Sequence, residues 1–163
     1  MSEKTILRMA WEKHMKKTVV GCLALLLVVS PLAALAELRE IGKVKGTRGV
    51  VSIMRDGKTK PTFPNDKIYQ SDTILTGSDG AVGILLEDNT LISMGPAGRL
   101  ALNKFRFAPA KNEYELHLDM MQGTFVYQSG LLGKLAPHAV ELDTPVGRIS
   151  MLKDTDFRAK FTD

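Results

Sequence analysis

The chain has 163 residues, 25% of them charged and 44% hydrophobic, with one Cys, one Trp and a formal net charge of +4, a length that suits one domain. Five of its 22 basic residues (Lys4, Arg8, Lys13, Lys16 and Lys17) fall within the first 36, and the remaining 127 residues carry 17 Lys and Arg against 16 Asp and Glu; nothing electrostatic then points to a nucleic-acid partner. Cys22 and Trp11 lie in the same opening segment, so residues 37–163 hold no thiol and no indole, which excludes a cysteine nucleophile, a thiolate metal site and a disulfide-stapled fold.

Lys16 and Lys17 precede an uncharged stretch from Thr18 to Ala36 that is rich in Leu, Val and Ala. A charged head and an apolar run form the pattern of a secretory signal, and Ala34-Leu35-Ala36 supplies the small residues that a signal peptidase requires. Pro31 ends the apolar helix and leaves the cleavage segment extended. We therefore expect residues 1–36 to be a signal peptide cut before Glu37. Translation is expected to start at Met15, because Met15-Lys16-Lys17-Thr18 opens a signal of ordinary length, with Met1 as the alternative. Residues 37–163 would then be periplasmic or secreted and not stably membrane-embedded. If the segment stayed uncleaved it would anchor the chain in the inner membrane, since its apolar run just reaches spanning length.

Beyond residue 37 the apolar runs are short and β-branched or alternating, which favours strands. Val50 to Met54 leads into Asp56-Gly57, a turn dipeptide, and Lys67-Ile68-Tyr69 follows Pro61 and Pro64. Asp72 to Thr76 is a short strand closed by Gly77-Ser78-Asp79-Gly80. Ala81 to Leu86 and Thr90 to Met94 form a hairpin around Glu87-Asp88-Asn89. Gly95-Pro96-Ala97-Gly98 breaks that pair, and Arg99 to Asn103 begins another strand. In Tyr114 to Met120 the residues Tyr114, Leu116, Leu118 and Met120 share one face, leaving Glu115, His117 and Asp119 towards solvent. Gly123 to Ser129, Val140 to Thr144 and Arg148 to Leu152 complete about ten short strands. The expectation is an all-β single domain with sandwich, barrel or β-solenoid-like architecture; the glycine spacing is too irregular for a strict repeat.

The order of these pieces resembles the FecR domain family. The resemblance is carried by Gly49-Val50-Val51, by Asp72-Thr73-Ile74-Leu75-Thr76-Gly77, by Gly80 to Asp88, and by Met94-Gly95-Pro96. It continues through Gly123 to Gly130, Val140 to Ile149 and Asp154-Thr155-Asp156-Phe157, covering about residues 43–160. It implies an all-β domain located outside the inner membrane of bacteria. Some members are iron-transport signal regulators with a cytoplasmic segment and one membrane helix. We expect this chain to depart from the regulator pattern, since the run before the apolar stretch is too short for a folded cytoplasmic domain and no receptor-facing module is read after the β domain. Asp154 stands where the family usually has Gly; if that position needs a positive φ, Asp154→Gly would stabilise the fold.

Catalytic candidates are few. Ser129, His138 and Asp143 can be assembled on paper as a hydrolytic set, but no nucleophile elbow accompanies them. Asp79, Asp88, Asn89, Asp154 and Asp156 have the character of turn residues and lack the spacing of a calcium loop. We therefore expect a non-enzymatic protein with no cofactor and no metal, acting as a binding or scaffolding module of the bacterial envelope whose partner is an envelope protein or ligand. A sensory component of envelope signalling or iron-uptake regulation, and a glycan or cell-wall binder, are the alternatives. Two surfaces are expected to carry binding. Phe105 and Phe107 share a strand face and could form an exposed apolar platform, with Arg106 beside them, although core packing is the favoured fate of at least one of the two rings. Val140, Glu141, Leu142 and Asp143, bracketed by Pro137 and Pro145, would form an exposed strand edge open to strand addition, the alternative being a protected edge.

Overall fold

The turn dipeptides and apolar alternation resolve into twelve strands in the computed structural model, which describes residues 39–161; the signal-peptide reading lies outside the described residues. The strands are β1 (Glu40–Arg48), β2 (Val51–Arg55), β3 (Lys58–Pro61), β4 (Lys67–Tyr69), β5 (Thr73–Thr76), β6 (Ala81–Leu86) and β7 (Leu91–Met94). They continue with β8 (Arg99–Ala108), β9 (Glu113–Gln128), β10 (Val140–Thr144), β11 (Gly147–Ser150) and β12 (Phe157–Phe161), with a short helix α1 (Leu131–Leu135) after β9. The protein is all-β, as expected.

The strands form one curled sheet in the order β3-β2-β5-β8-β9-β7-β6-β1-β4, with β10, β11 and β12 branching from β9. Branching is possible because β9 changes neighbours halfway along its 16 residues. Residues 113–122 pair with β8 and, in parallel, with β10; residues 123–128 pair with β7 and β12. The two arms curl over a common core, and we refer to them as sheet B (β3, β2, β5, β8, first half of β9, β10, β11) and sheet A (β4, β1, β6, β7, second half of β9, β12). All pairs except β9–β10 are antiparallel, so the architecture is a curled, almost wholly antiparallel sheet.

Gly123 marks the change of neighbours. Its φ is +106°, and a Cβ there would lie 2.6 Å from the Gly98 Cα, so only glycine lets β9 cross the start of β8. The reading of 114–120 and 123–129 as separate strands is corrected on this point: they are halves of one strand. Two hairpins match their turn chemistry. Asp56 (φ +50°) and Gly57 (φ +72°) join β2 to β3, the doubly positive turn that antiparallel strands favour. Asn89 (φ +67°) helps β6 return as β7, with Val82 opposite Met94 and Leu85 opposite Leu91.

Alternating residues of both sheets fill the core, where Ile53, Ile74, Ile84, Ile92, Leu118 and Phe125 are wholly buried. Two acids are buried with them. Asp72 is gripped by the Arg55 guanidinium at 2.6 and 2.7 Å and by the Tyr69 amide at 2.8 Å, while Arg55 lies 4.2 Å over the Tyr69 ring. Asp88 accepts from Thr90 N–H at 3.0 Å, Thr90 Oγ1 at 2.7 Å and Leu132 N–H at 3.1 Å, pinning α1 to the β6–β7 turn. Asp154 is not among the positive-φ residues, so the case for a stabilising glycine there falls.

Candidate functional site

The two surfaces expected from sequence are built differently from that expectation. Phe105 is 1% exposed and belongs to the core, because β8 continues through Ala108 and turns residue 105 inward between its partners on β9. Phe107 packs on Tyr114 with ring centroids 6.1 Å apart, and Arg106 is paired with Glu113 at 3.0 Å. Phe105, Arg106 and Phe107 therefore do not form an exposed platform. Val140 to Asp143 is not an edge either: β10 is paired on one side with β9 and on the other with β11. Val140 and Leu142 are buried, and Pro145 sits in the β10–β11 turn. The edge of this arm is β11, whose four residues are all exposed.

Alternation sends the other half of these residues to the outer face of sheet B, where they form a ladder of charges. Lys104 bonds Glu115 at 3.0 Å and Arg106 bonds Glu113. Beside them His117 Nε2 meets Asp143 Oδ2 at 2.7 Å, and the Arg148 guanidinium holds both oxygens of Asp143 at 2.6 and 2.9 Å. The Arg148 guanidinium and then His117 hold the Asp143 carboxyl down at about 2. Asp119, directly opposite Asp143 in the parallel pair, approaches His117 Nε2 at 3.5 Å.

Donor atoms of His117, Asp119 and Asp143 lie within 4.8 Å of one another, and imidazole with carboxylates is a donor set for a transition-metal ion. The set is nonetheless closed on itself. Arg148 takes both Asp143 oxygens, and Asp143 takes the imidazole nitrogen, so a cation would have to displace the guanidinium to enter. Nor does the pair supply acyl-transfer chemistry: among the described residues no hydroxyl is hydrogen-bonded to His117, and Asp143 is partnered by His117 and not by His138. The expectation that His117 simply faces solvent is corrected to a half-buried residue tied to β10.

The outer face of sheet A has the opposite character. One row across it reads Gly46, Gly83, Ser93, Val126, Arg158, each residue opposite the next on the neighbouring strand. The next row holds Arg48 opposite Ala81 and Thr124 opposite Lys160, with the Gly95 amide bonded to the Thr124 carbonyl at 2.8 Å. Around the recess the middle strands β6, β7 and β9 thus present small side chains, while Leu85 and Leu91, opposite each other on the same face, lie outside its lining. The flanking strands present cations: Lys43, Lys45 and Arg48 on β1, and Arg158 and Lys160 on β12. The result is a recess of about 630 Å³ between Arg48 and Arg158, with no aromatic residue in its lining.

None of these five cations forms an ion pair among the described residues, and the same holds of exposed cations elsewhere such as Lys58, Lys60 and Arg99, whereas Arg55, Arg106 and Arg148 are engaged. Two acids of this region accept from backbone amides, Asp79 from Val50 at 3.3 Å and Asp156 from Ser129 at 2.8 Å. Sequence reasoning missed this face. Its only local signal is the alternation of small residues in Ala81-Val82-Gly83 and Ser93-Met94-Gly95; the rest depends on register between strands far apart in the chain.

Compared with known proteins, no family model matches this chain, no curated protein matches it, and no solved structure does. Among the described residues no helix is long and apolar enough to cross a membrane.

Proposed function

We propose that this chain is an exported, non-catalytic binding module of the bacterial envelope, of the FecR type, which holds a partner against the outer face of sheet A. The observation that carries the reading is the recess between Arg48 and Arg158, a sheet face that no other described residue covers, with small residues at its centre and a cation on each flank that forms no ion pair among the described residues. An isolated cation gains little from water-exposed neighbours, and Arg48 and Arg158, which line the recess from opposite sides with no ion-pair partner among the described residues, favour a partner that brings the matching charge. On the sheet B face Lys104, Arg106 and Arg148 each meet an acid, while Lys58, Lys60 and Arg99 are exposed. The signal-like segment and the FecR resemblance support an envelope location.

The reading is tested by affinity capture from an envelope extract with the exported protein and with its Arg48→Glu, Arg158→Glu double variant. We expect the variant to keep its melting temperature and lose the captured partner. Identical capture by both proteins would remove sheet A from the reading.

A further inference from the structure

Resting on that reading, we propose that the occupant of the sheet A recess is an acidic amphipathic helix of a partner protein. Successive strands of a sheet lie about 4.8 Å apart, which puts the backbones of β1 and β12, four steps distant, on the order of 19 Å from each other along the face. A helix with its side chains is about 10–12 Å across. Laid over β6, β7 and β9, it leaves room on each side for one basic side chain to reach its flank. Gly83, Ser93 and Gly95 give the floor no large side chain, so a helix face of Ala, Ser or Gly approaches closely and buries the half-exposed Ala81 and Val126. Carboxylates on the two flanks then meet Arg48 on one side and Arg158 on the other, and a guanidinium is suited to binding a carboxylate through two parallel bonds.

Other anionic occupants fit less well. A sugar chain is held by stacking on aromatic rings, and the recess lining has none. A lipid surface is bound by large apolar side chains inserted beneath a cationic rim; the larger apolar side chains of this face, Leu85 and Leu91, lie outside the recess lining.

The test is a titration of the ¹⁵N-labelled exported protein with a synthetic helix of about 20 residues, Ala and Ser on one face and Glu on both flanks, followed by amide NMR. We expect shifts concentrated at Gly46, Gly83, Ser93 and Gly95. Affinity should fall roughly tenfold for each of Arg48→Glu and Arg158→Glu, about 1.4 kcal/mol apiece, and fall again with added salt. Shifts placed elsewhere, or unchanged affinity in both variants, would overturn the proposal. So would equal binding by poly-L-glutamate, by polygalacturonate or by phosphatidylglycerol vesicles, which would show an extended chain, an acidic glycan or a lipid surface to be the occupant. If the helix fails to bind while envelope capture still depends on Arg48 and Arg158, the binding module stands and its helical partner does not.

Discussion

The carboxylate of Asp88 accepts the amide hydrogen of Leu132, 44 residues further along the chain, at 3.1 Å, and neither end of this bond reaches solvent. Because the same carboxylate also holds the amide and hydroxyl of Thr90, its removal strands three buried donors at once. We expect Asp88→Ala to destabilise the fold by about 3 kcal/mol, read from urea unfolding. A loss under about 1 kcal/mol would mean that water replaces the carboxylate.

Asp72 depends on a single cation in the same way. Arg55→Ala leaves a wholly buried carboxylate without its guanidinium, and we expect a loss of about 3–5 kcal/mol. Arg55→Lys should recover only part of it, since an ammonium cannot reproduce the two parallel bonds or the stacking on Tyr69. Full recovery by lysine in the same unfolding measurement would show that charge alone matters there.

Gly123 has no substitute that suits both its φ of +106° and its contact with Gly98. Gly123→Ala is expected to cost about 3 kcal/mol or more, seen as a drop in thermal midpoint with the two arms of the sheet melting together. A neutral substitution would mean that β9 can bend elsewhere.

The acid limb of the stability curve should carry the signature of Asp143. Its carboxyl titrates at about 2 in the folded protein against an ordinary value of 3.8. A lowered folded pKa means a contribution that is fully present above pH 3.8 and is lost as pH falls through about 2. The melting temperature of Asp143→Asn relative to the native chain is therefore expected to be lower at neutral pH, with the gap closing between about pH 4 and pH 2. A gap of constant size over that range would show that His117 and Arg148 do not hold the carboxylate in solution.

The strands whose apolar residues alternate next to a clear turn were readable from sequence: β6, β7 and their Glu87-Asp88-Asn89 turn needed only local information. Edge strands were not. Lys58-Thr59-Lys60-Pro61 and Phe157-Arg158-Ala159-Lys160-Phe161 form β3 and β12, where one or both faces meet water and the apolar signal fades. The same limit misled the reading of the site. Alternation shows that Phe105 and Phe107 share a face, but which of them is covered depends on how far β8 runs along β9. Prolines around Val140 to Asp143 suggested an edge, but β10 returns through α1 to pair in parallel with β9, the strand before it, and such a crossover pairing leaves no local mark. The recess needs the register of five strands at once.

The most direct measurement of whether sheet A is the binding face places a photo-cross-linking amino acid at Ser93, on the floor of the recess, and separately at Glu115, on the charged face of sheet B, in cells that export the protein. A partner seated in the recess gives a discrete cross-linked adduct from position 93 that disappears with Arg48→Glu and Arg158→Glu, and none from position 115. An adduct from position 115 with none from position 93 would contradict it.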